Sequence, residues 1–243
     1  MHTEYKRIVP NADKAILFIH GIVGTPNHFH IFLPLVPDSI SVYNILLDGH
    51  GKGVKDFAKT SMEKWENQVS SAIAELSATH KEIYITAHSM GTLFAITQAV
   101  KNPSITKLFL LAVPLKLFLK PRVFVNAMRV YRNKISPDDA VAMATKNCCG
   151  VAIGKNPLSY LGWIPRFLEL FRKIKATRKQ LSNLSTPCLA FQSANDELVS
   201  RSASNILRKS PCVHVRELSE SGHYYYGKED LALLQNTFED FIS

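Results

Sequence analysis

The run Ile83-Tyr84-Ile85-Thr86-Ala87-His88-Ser89-Met90-Gly91-Thr92-Leu93 constrains this chain more than any other stretch. A β-branched apolar pattern breaks at small residues, shows one hydroxyl, and changes at once to a helical pattern. That order demands a tight strand-to-helix turn of the kind called a nucleophile elbow. It lifts the serine Oγ to the top of a sheet and aims the N-terminal dipole of the next helix at it. Strand and helix pass so closely there that the positions two before and two after the serine must be small. Gly91 meets the demand. Ala87 stands where glycine is usual and adds a single methyl. A short motif of this kind gains weight only from its context.

Three other stretches supply that context. Ala15-Ile16-Leu17-Phe18-Ile19 reads as a strand that ends in His20-Gly21-Ile22-Val23-Gly24-Thr25-Pro26, where two glycines let backbone N–H groups turn into a cavity. Acyl transfer uses such donors against a developing oxyanion, one from this loop and one from the residue after the nucleophile, here Ile22 and Met90. A later strand, Cys188 to Phe191, runs into Ser193-Ala194-Asn195-Asp196-Glu197, a polar turn that offers an acid. The alternating run Val213 to Leu218 precedes Ser219-Glu220-Ser221-Gly222-His223, a loop suited to deliver a general base. The chain order serine, aspartate, histidine differs from the chymotrypsin and subtilisin orders and matches a third architecture.

With Asp48-Gly49-His50-Gly51 and Leu198-Val199 added, these motifs resemble those of the α/β-hydrolase superfamily, in its bacterial carboxylesterase and monoacylglycerol-lipase branch. They run from the first strand pair to the last loop, so the resemblance covers nearly the whole chain except about 115–180. It implies an α/β fold, a mostly parallel sheet flanked by helices with an inserted helical cap. It also implies Ser89 as nucleophile, His223 as base, Asp196 as acid, and Ile22 and Met90 as oxyanion donors, with no metal and no organic cofactor. Glu197 is the reserve acid. Candidate substrate contacts are Gly21, His88, Trp163 and Phe167. His20 and His88 also read as structural groups bonding within their loops, and His50 as a residue that fixes a loop near the site. His28 and His30 have no acid at metal-ligand spacing.

The expected activity is hydrolysis of a small-molecule carboxylic ester, a monoacylglycerol or a short-to-medium acyl ester, through an acyl-enzyme. A thioesterase or acyltransferase on the same residues, or a non-catalytic lipid-binding member of the fold, are the alternatives. Carbon–carbon bond hydrolases and haloperoxidase-like relatives share the same three residues.

Bulk properties fit one α/β domain. The 243 residues suffice for a large core, and 46% apolar with 20% charged residues is ordinary for a globular protein. The polar start Met1-His2-Thr3-Glu4-Tyr5-Lys6-Arg7 is no signal peptide, and the longest apolar stretch, Leu108 to Leu119, is broken by Pro114 and Lys116. Four cysteines without metal spacing (Cys148, Cys149, Cys188 and Cys212) read as free thiols of a cytoplasmic protein. The net charge of +9 is concentrated: 115–180 holds fourteen Lys or Arg against three acids, and the rest fifteen against seventeen. No nucleic-acid-binding module accompanies it. A solvated face, attraction to acidic substrates, and peripheral contact with an anionic membrane are the readings that remain. The sequence carries no signature of an oligomeric state.

Alternating patterns predict strands at Ala15–Ile19, Ser41–Leu46, Glu82–Thr86, Lys107–Leu111, Cys188–Phe191 and Val213–Leu218. Thr60-x-x-Glu63 has capping-box spacing ahead of a helix whose Trp65, Val69, Ile73 and Leu76 share a face. Met90–Val100 and a last helix bearing Leu231, Leu234, Phe238 and Phe241 follow the same logic. The core is expected at 1–114 and 181–243, with 115–180 as the cap. There Leu161, Ile164, Phe167, Leu168, Phe171 and Ile174 form an apolar helical stripe bordered by Arg166, Arg172, Lys173 and Lys175. The stripe is expected to shelter an acyl chain above Ser89, with its basic side in water; an interfacial helix on lipid is the alternative.

Overall fold

The computed structural model describes residues 2–118, 129 and 135–243. Seven strands form one sheet: β1 Tyr5–Arg7, β2 Lys14–Ile19, β3 Ser41–Ile45, β4 Glu82–His88, β5 Ile105–Leu111, β6 Cys188–Ser193 and β7 Val213–Leu218. Their order is β1-β3-β2-β4-β5-β6-β7; β1 is antiparallel to β3 and every other pair is parallel. The six expected strands are all present. β1 lacked a readable signal, because three exposed or half-buried residues carry no apolar alternation.

The described helices are α1 Val54–Lys59, α2 Met62–Ser77, α3 Met90–Ala99, α4 Ala140–Cys148, α5 Ile164–Gln180, α6 Ser202–Leu207 and α7 Lys228–Ile242. Strands buried on both faces need helices on both. Ala15, Leu17, Ile19, Ile83 and Ile85 point into a core with Trp65, Val69 and Ile73 of α2, Leu93 and Phe94 of α3, and Ala203 and Leu207 of α6. Ile16, Phe18, Tyr84 and Phe109 point the other way, onto Leu234, Phe238 and Phe241 of α7. This alternation is the strand period of two expressed in three dimensions.

Two expectations need correction. The cap of α2 is Ser61, whose Oγ accepts from the Lys64 N–H at 3.1 Å, not Thr60. Thr60 is instead the residue that closes α1, a six-residue helix whose only apolar pattern is the buried pair Val54 and Phe57. The apolar stripe of α5 also faces away from its expected direction. Five of its six members, Leu161, Ile164, Phe167, Leu168 and Phe171, are exposed, while the sixth, Ile174, buries with Leu170 and Thr177 against the body of the protein. A border residue, Lys173, turns inward with them, pairing with Glu66 at 2.9 Å and lying over the Phe94 ring. The helix docks through the narrower arc because α3 and α2 offer partners to it there.

Candidate active site

The C-terminal ends of β2, β4, β6 and β7 carry the residues the sequence singled out, which is where open parallel sheets hold their ligands. After β4 the chain turns at Ser89 with φ +50° and ψ −122°, a conformation L-residues rarely adopt. Its N–H donates to the Leu111 carbonyl at 2.9 Å, and its own carbonyl accepts from the Thr92 Oγ at 2.6 Å. The turn is held by packing. A Cβ on Gly91 would lie 2.2 Å from the Ile19 carbonyl oxygen, so only glycine fits there. Ala87, in contrast, occupies an ordinary buried strand position beside Ile19 and Leu110, and its methyl is accommodated.

The loop after β2 closes on the same turn. A Cβ on Gly21 would stand 2.9 Å from that of Ser89 and 3.3 Å from His88 Nδ1. The Gly24 N–H donates to Gly21 O at 3.0 Å, and Val23 takes φ +56°. Gly150 ties this loop to the one after β3: its N–H donates to Val23 O at 2.7 Å and its carbonyl accepts from the Gly51 N–H at 2.6 Å. Met90 is the first residue of α3, so its N–H has no partner within the helix.

His223 and Asp196 meet at depth. Nδ1 of His223 lies 2.9 Å from Asp196 Oδ2, and both residues are 3% exposed. Asp196 Oδ1 accepts from the Leu198 and Val199 N–H groups at 2.7 and 2.8 Å. Burial is the largest single influence on this carboxyl and pushes its pKa up. The His223 charge, its hydrogen bond and the two backbone donors together outweigh burial and hold the pKa below the ordinary value. Nε2 of His223 is buried and has no hydrogen-bond partner among the described residues.

Every other polar group of His223 is occupied. Its N–H donates to Glu197 Oε2 at 3.0 Å, and its carbonyl accepts from His88 Nε2 at 2.9 Å. The adjacent acids thus divide the work: Asp196 takes the ring and Glu197 the backbone. The loop itself hangs from Asp230 in the first turn of α7, which accepts from the Ser219 and Glu220 N–H groups and from the Ser221 Oγ. The roles of Glu197 and Asp230 escaped sequence reading. For Asp230 the signal was the acidic pair Glu229-Asp230 opening a helix.

His88 and His28 stack with ring centroids 3.9 Å apart, and His88 lies 4.8 Å from His223. His28 Nε2 contacts Tyr226 Oη at 3.0 Å, and its Nδ1 contacts Cys148 Sγ at 3.5 Å. Burial, reinforced by neighbouring histidine charges, pushes the His28 pKa down to about 3 and that of His88 well below its ordinary value. Both rings are therefore neutral, and the carbonyl partner of His88 Nε2 puts the proton of that ring on Nε2. On the other side, His20 accepts from the Leu47 N–H at Nε2, so its Nδ1–H donates to Gly21 O. The His50 ring packs edge-on against His20 and Phe57, and burial lowers its pKa to about 4.

Trp163 and Phe167 sit further out. Trp163 donates Nε1–H to Val54 O at 3.0 Å and stacks on Phe57 and Tyr160, pinning the start of α5 to α1. Phe167 is 37% exposed on the flank of α5, beside the buried Leu170 and Ile174. Gly21 and His88 are the two candidate contacts that adjoin Ser89. The four cysteines are free. Among the described residues no group of three or more His, Cys, Asp or Glu side chains could hold a metal ion, and no helix is long and apolar enough to cross a membrane.

Comparison with known proteins agrees with this architecture. A thermostable monoacylglycerol lipase of Bacillus sp. (strain H-257) is 25% identical over 195 residues, 78% of this chain and 73% of that protein. A structure of the metagenome-derived lipolytic enzymes LipS and LipT superposes with a TM-score of 0.75 at 15% identity, over 99% of this chain and 97% of that one. The Paleococcus ferrophilus monoacylglycerol lipase superposes with a TM-score of 0.67 at 17% identity, over 99% and 98%. The family model described as serine aminopeptidase, S33, matches residues 10–223. The chain is therefore a hydrolase of that family, within the α/β-hydrolase superfamily.

Proposed function

We propose that this protein hydrolyses carboxylic esters, monoacylglycerols or short-to-medium acyl esters, through an acyl-enzyme on Ser89. The observation that carries the reading is the buried 2.9 Å pair of His223 Nδ1 and Asp196 Oδ2, which leaves the opposite ring nitrogen without a hydrogen-bond partner among the described residues, on a loop at the same C-terminal end of the sheet as the Ser89 turn. Asp196 fixes the tautomer with the proton on Nδ1, so Nε2 is the basic nitrogen. As the Ser89 oxygen attacks the ester carbon, Nε2 takes its proton, and Asp196 stabilises the imidazolium. The N–H groups of Ile22 and Met90 receive the negative charge that develops on the carbonyl oxygen, each worth about 3 kcal/mol in the transition state. The proton then passes to the leaving alcohol. Water, activated by the same Nε2, attacks the acyl-enzyme and regenerates Ser89.

The likeness to a Bacillus monoacylglycerol lipase supports the ester class, and the free ring nitrogen supports the base. The test is turnover of a nitrophenyl acyl ester and of a monoacylglycerol by the wild type, Ser89→Ala and His223→Ala, with fluorophosphonate labelling. Each substitution should lower kcat by about 10⁴-fold or more, and Ser89→Ala should abolish labelling. Retention of most activity by either variant would refute the roles. Faster turnover of an acyl-CoA than of any oxygen ester would move the assignment to a thioesterase.

A further inference from the structure

Helix α5 turns to solvent a face that changes chemistry halfway along. In its first two turns the outward side chains are Ile164, Leu168 and Phe171, exposed by 53, 51 and 52%, and Phe167 lies at their margin beside the buried arc. Leu158 and Leu161, in the turn just before it, extend the patch. In its last two turns the outward side chains are Arg172, Lys175 and Lys179, all exposed. None of these three forms an ion pair among the described residues. Positions 161, 164, 168, 171, 175 and 179 follow one another at three- and four-residue spacing, so the apolar and cationic halves share one continuous face. The opposite arc, Leu170, Ile174 and Thr177, is buried.

A helix that merely covers a core turns its apolar side inward, and a solvated one has no use for an outward Ile164, Leu168 and Phe171. We propose that this face docks on an anionic lipid bilayer. The apolar half enters the boundary between headgroups and acyl chains, and the cationic half rests on lipid phosphates. Such an interface offers greasy and anionic chemistry side by side without requiring a fixed partner shape. A second copy of the chain fits poorly. Antiparallel pairing of two α5 helices sets cations on the apolar half, and parallel pairing sets cations on cations. The long-range field agrees, because 115–180 carries the whole positive excess of the chain.

The inference does not depend on the proposed catalysis, and its test needs no turnover. The full chain is sedimented with phosphatidylcholine vesicles prepared with and without phosphatidylglycerol, at low and high salt. Wild type should bind the anionic vesicles and release them as salt screens the contact. Arg172→Gln/Lys175→Gln/Lys179→Gln should weaken binding roughly a hundredfold, at about fivefold per cation. Leu168→Gln/Phe171→Gln should also lose most of it, and unchanged thermal unfolding of both variants shows that they fold. Absence of wild-type binding, equal binding to both kinds of vesicle, or full binding by either variant overturns the proposal. So does a dimer that forms without lipid and disappears in Leu168→Gln/Phe171→Gln, which would give the face to a second copy.

Discussion

His88 donates its Nε2–H to the main-chain carbonyl of His223 at 2.9 Å, across 135 residues of sequence. The residue before the strained serine thereby holds the backbone of the histidine whose ring pairs with Asp196. Since Glu197 takes the N–H of the same residue, the peptide of His223 is gripped at both ends.

That grip predicts a specific kinetic signature. His88→Ala should lower kcat by about 10- to 100-fold with KM little changed, because a shift of an ångström in the base is felt at the reacting atoms. It should also cost about 1–3 kcal/mol of stability, the penalty of leaving a buried carbonyl unpaired. His88→Gln keeps an N–H donor at similar reach and should recover most of the rate. Steady-state kinetics on all three proteins checks this. Equal kcat in wild type and His88→Ala would remove His88 from any positioning role.

The backbone at Ser89 predicts a trade of stability against activity. With φ +50° and ψ −122°, the residue carries strain on the order of 1–3 kcal/mol that glycine would relieve. Ser89→Gly should therefore unfold at higher denaturant than wild type while losing acyl transfer altogether. Urea titration of the two proteins measures it, and a less stable Ser89→Gly would show that the turn stores no strain.

Buried neutral histidines set an acid limit on the fold. Burial lowers the pKa of His50 from 6.5 to about 4 and that of His28 from 6.5 to about 3. Between the folded and unfolded values the unfolded chain binds more protons, so stability rises with pH there. The contribution is complete above pH 6.5 and is lost as pH falls toward about 4 for His50 and about 3 for His28. Each group steepens the decline by about 1.4 kcal/mol per pH unit within its window. Urea midpoints followed from pH 7 to pH 4.5 should fall less steeply for His50→Asn than for wild type. Parallel curves would contradict the assignment.

Local patterns are enough to read six of the seven strands and the Ser89 turn with its neighbour Gly91, and to single out Asp196 and His223 as candidates. Strand alternation, helix stripes and the steric need for glycine are written within a few residues of where they act. The capping position is off by one residue because Thr60 closes α1, a six-residue helix whose single apolar pair, Val54 and Phe57, is too short a pattern to announce it. The direction of α5 was illegible for a different reason. An amphipathic stripe shows which side chains lie together, but whether that side or the opposite arc finds partners depends on what α2 and α3 present. The three-sided hold on His223, by Asp196, Glu197 and His88, belongs wholly to the folded state. Its members come from different strand ends, and only the closing of the sheet brings their donors and acceptors within bonding distance.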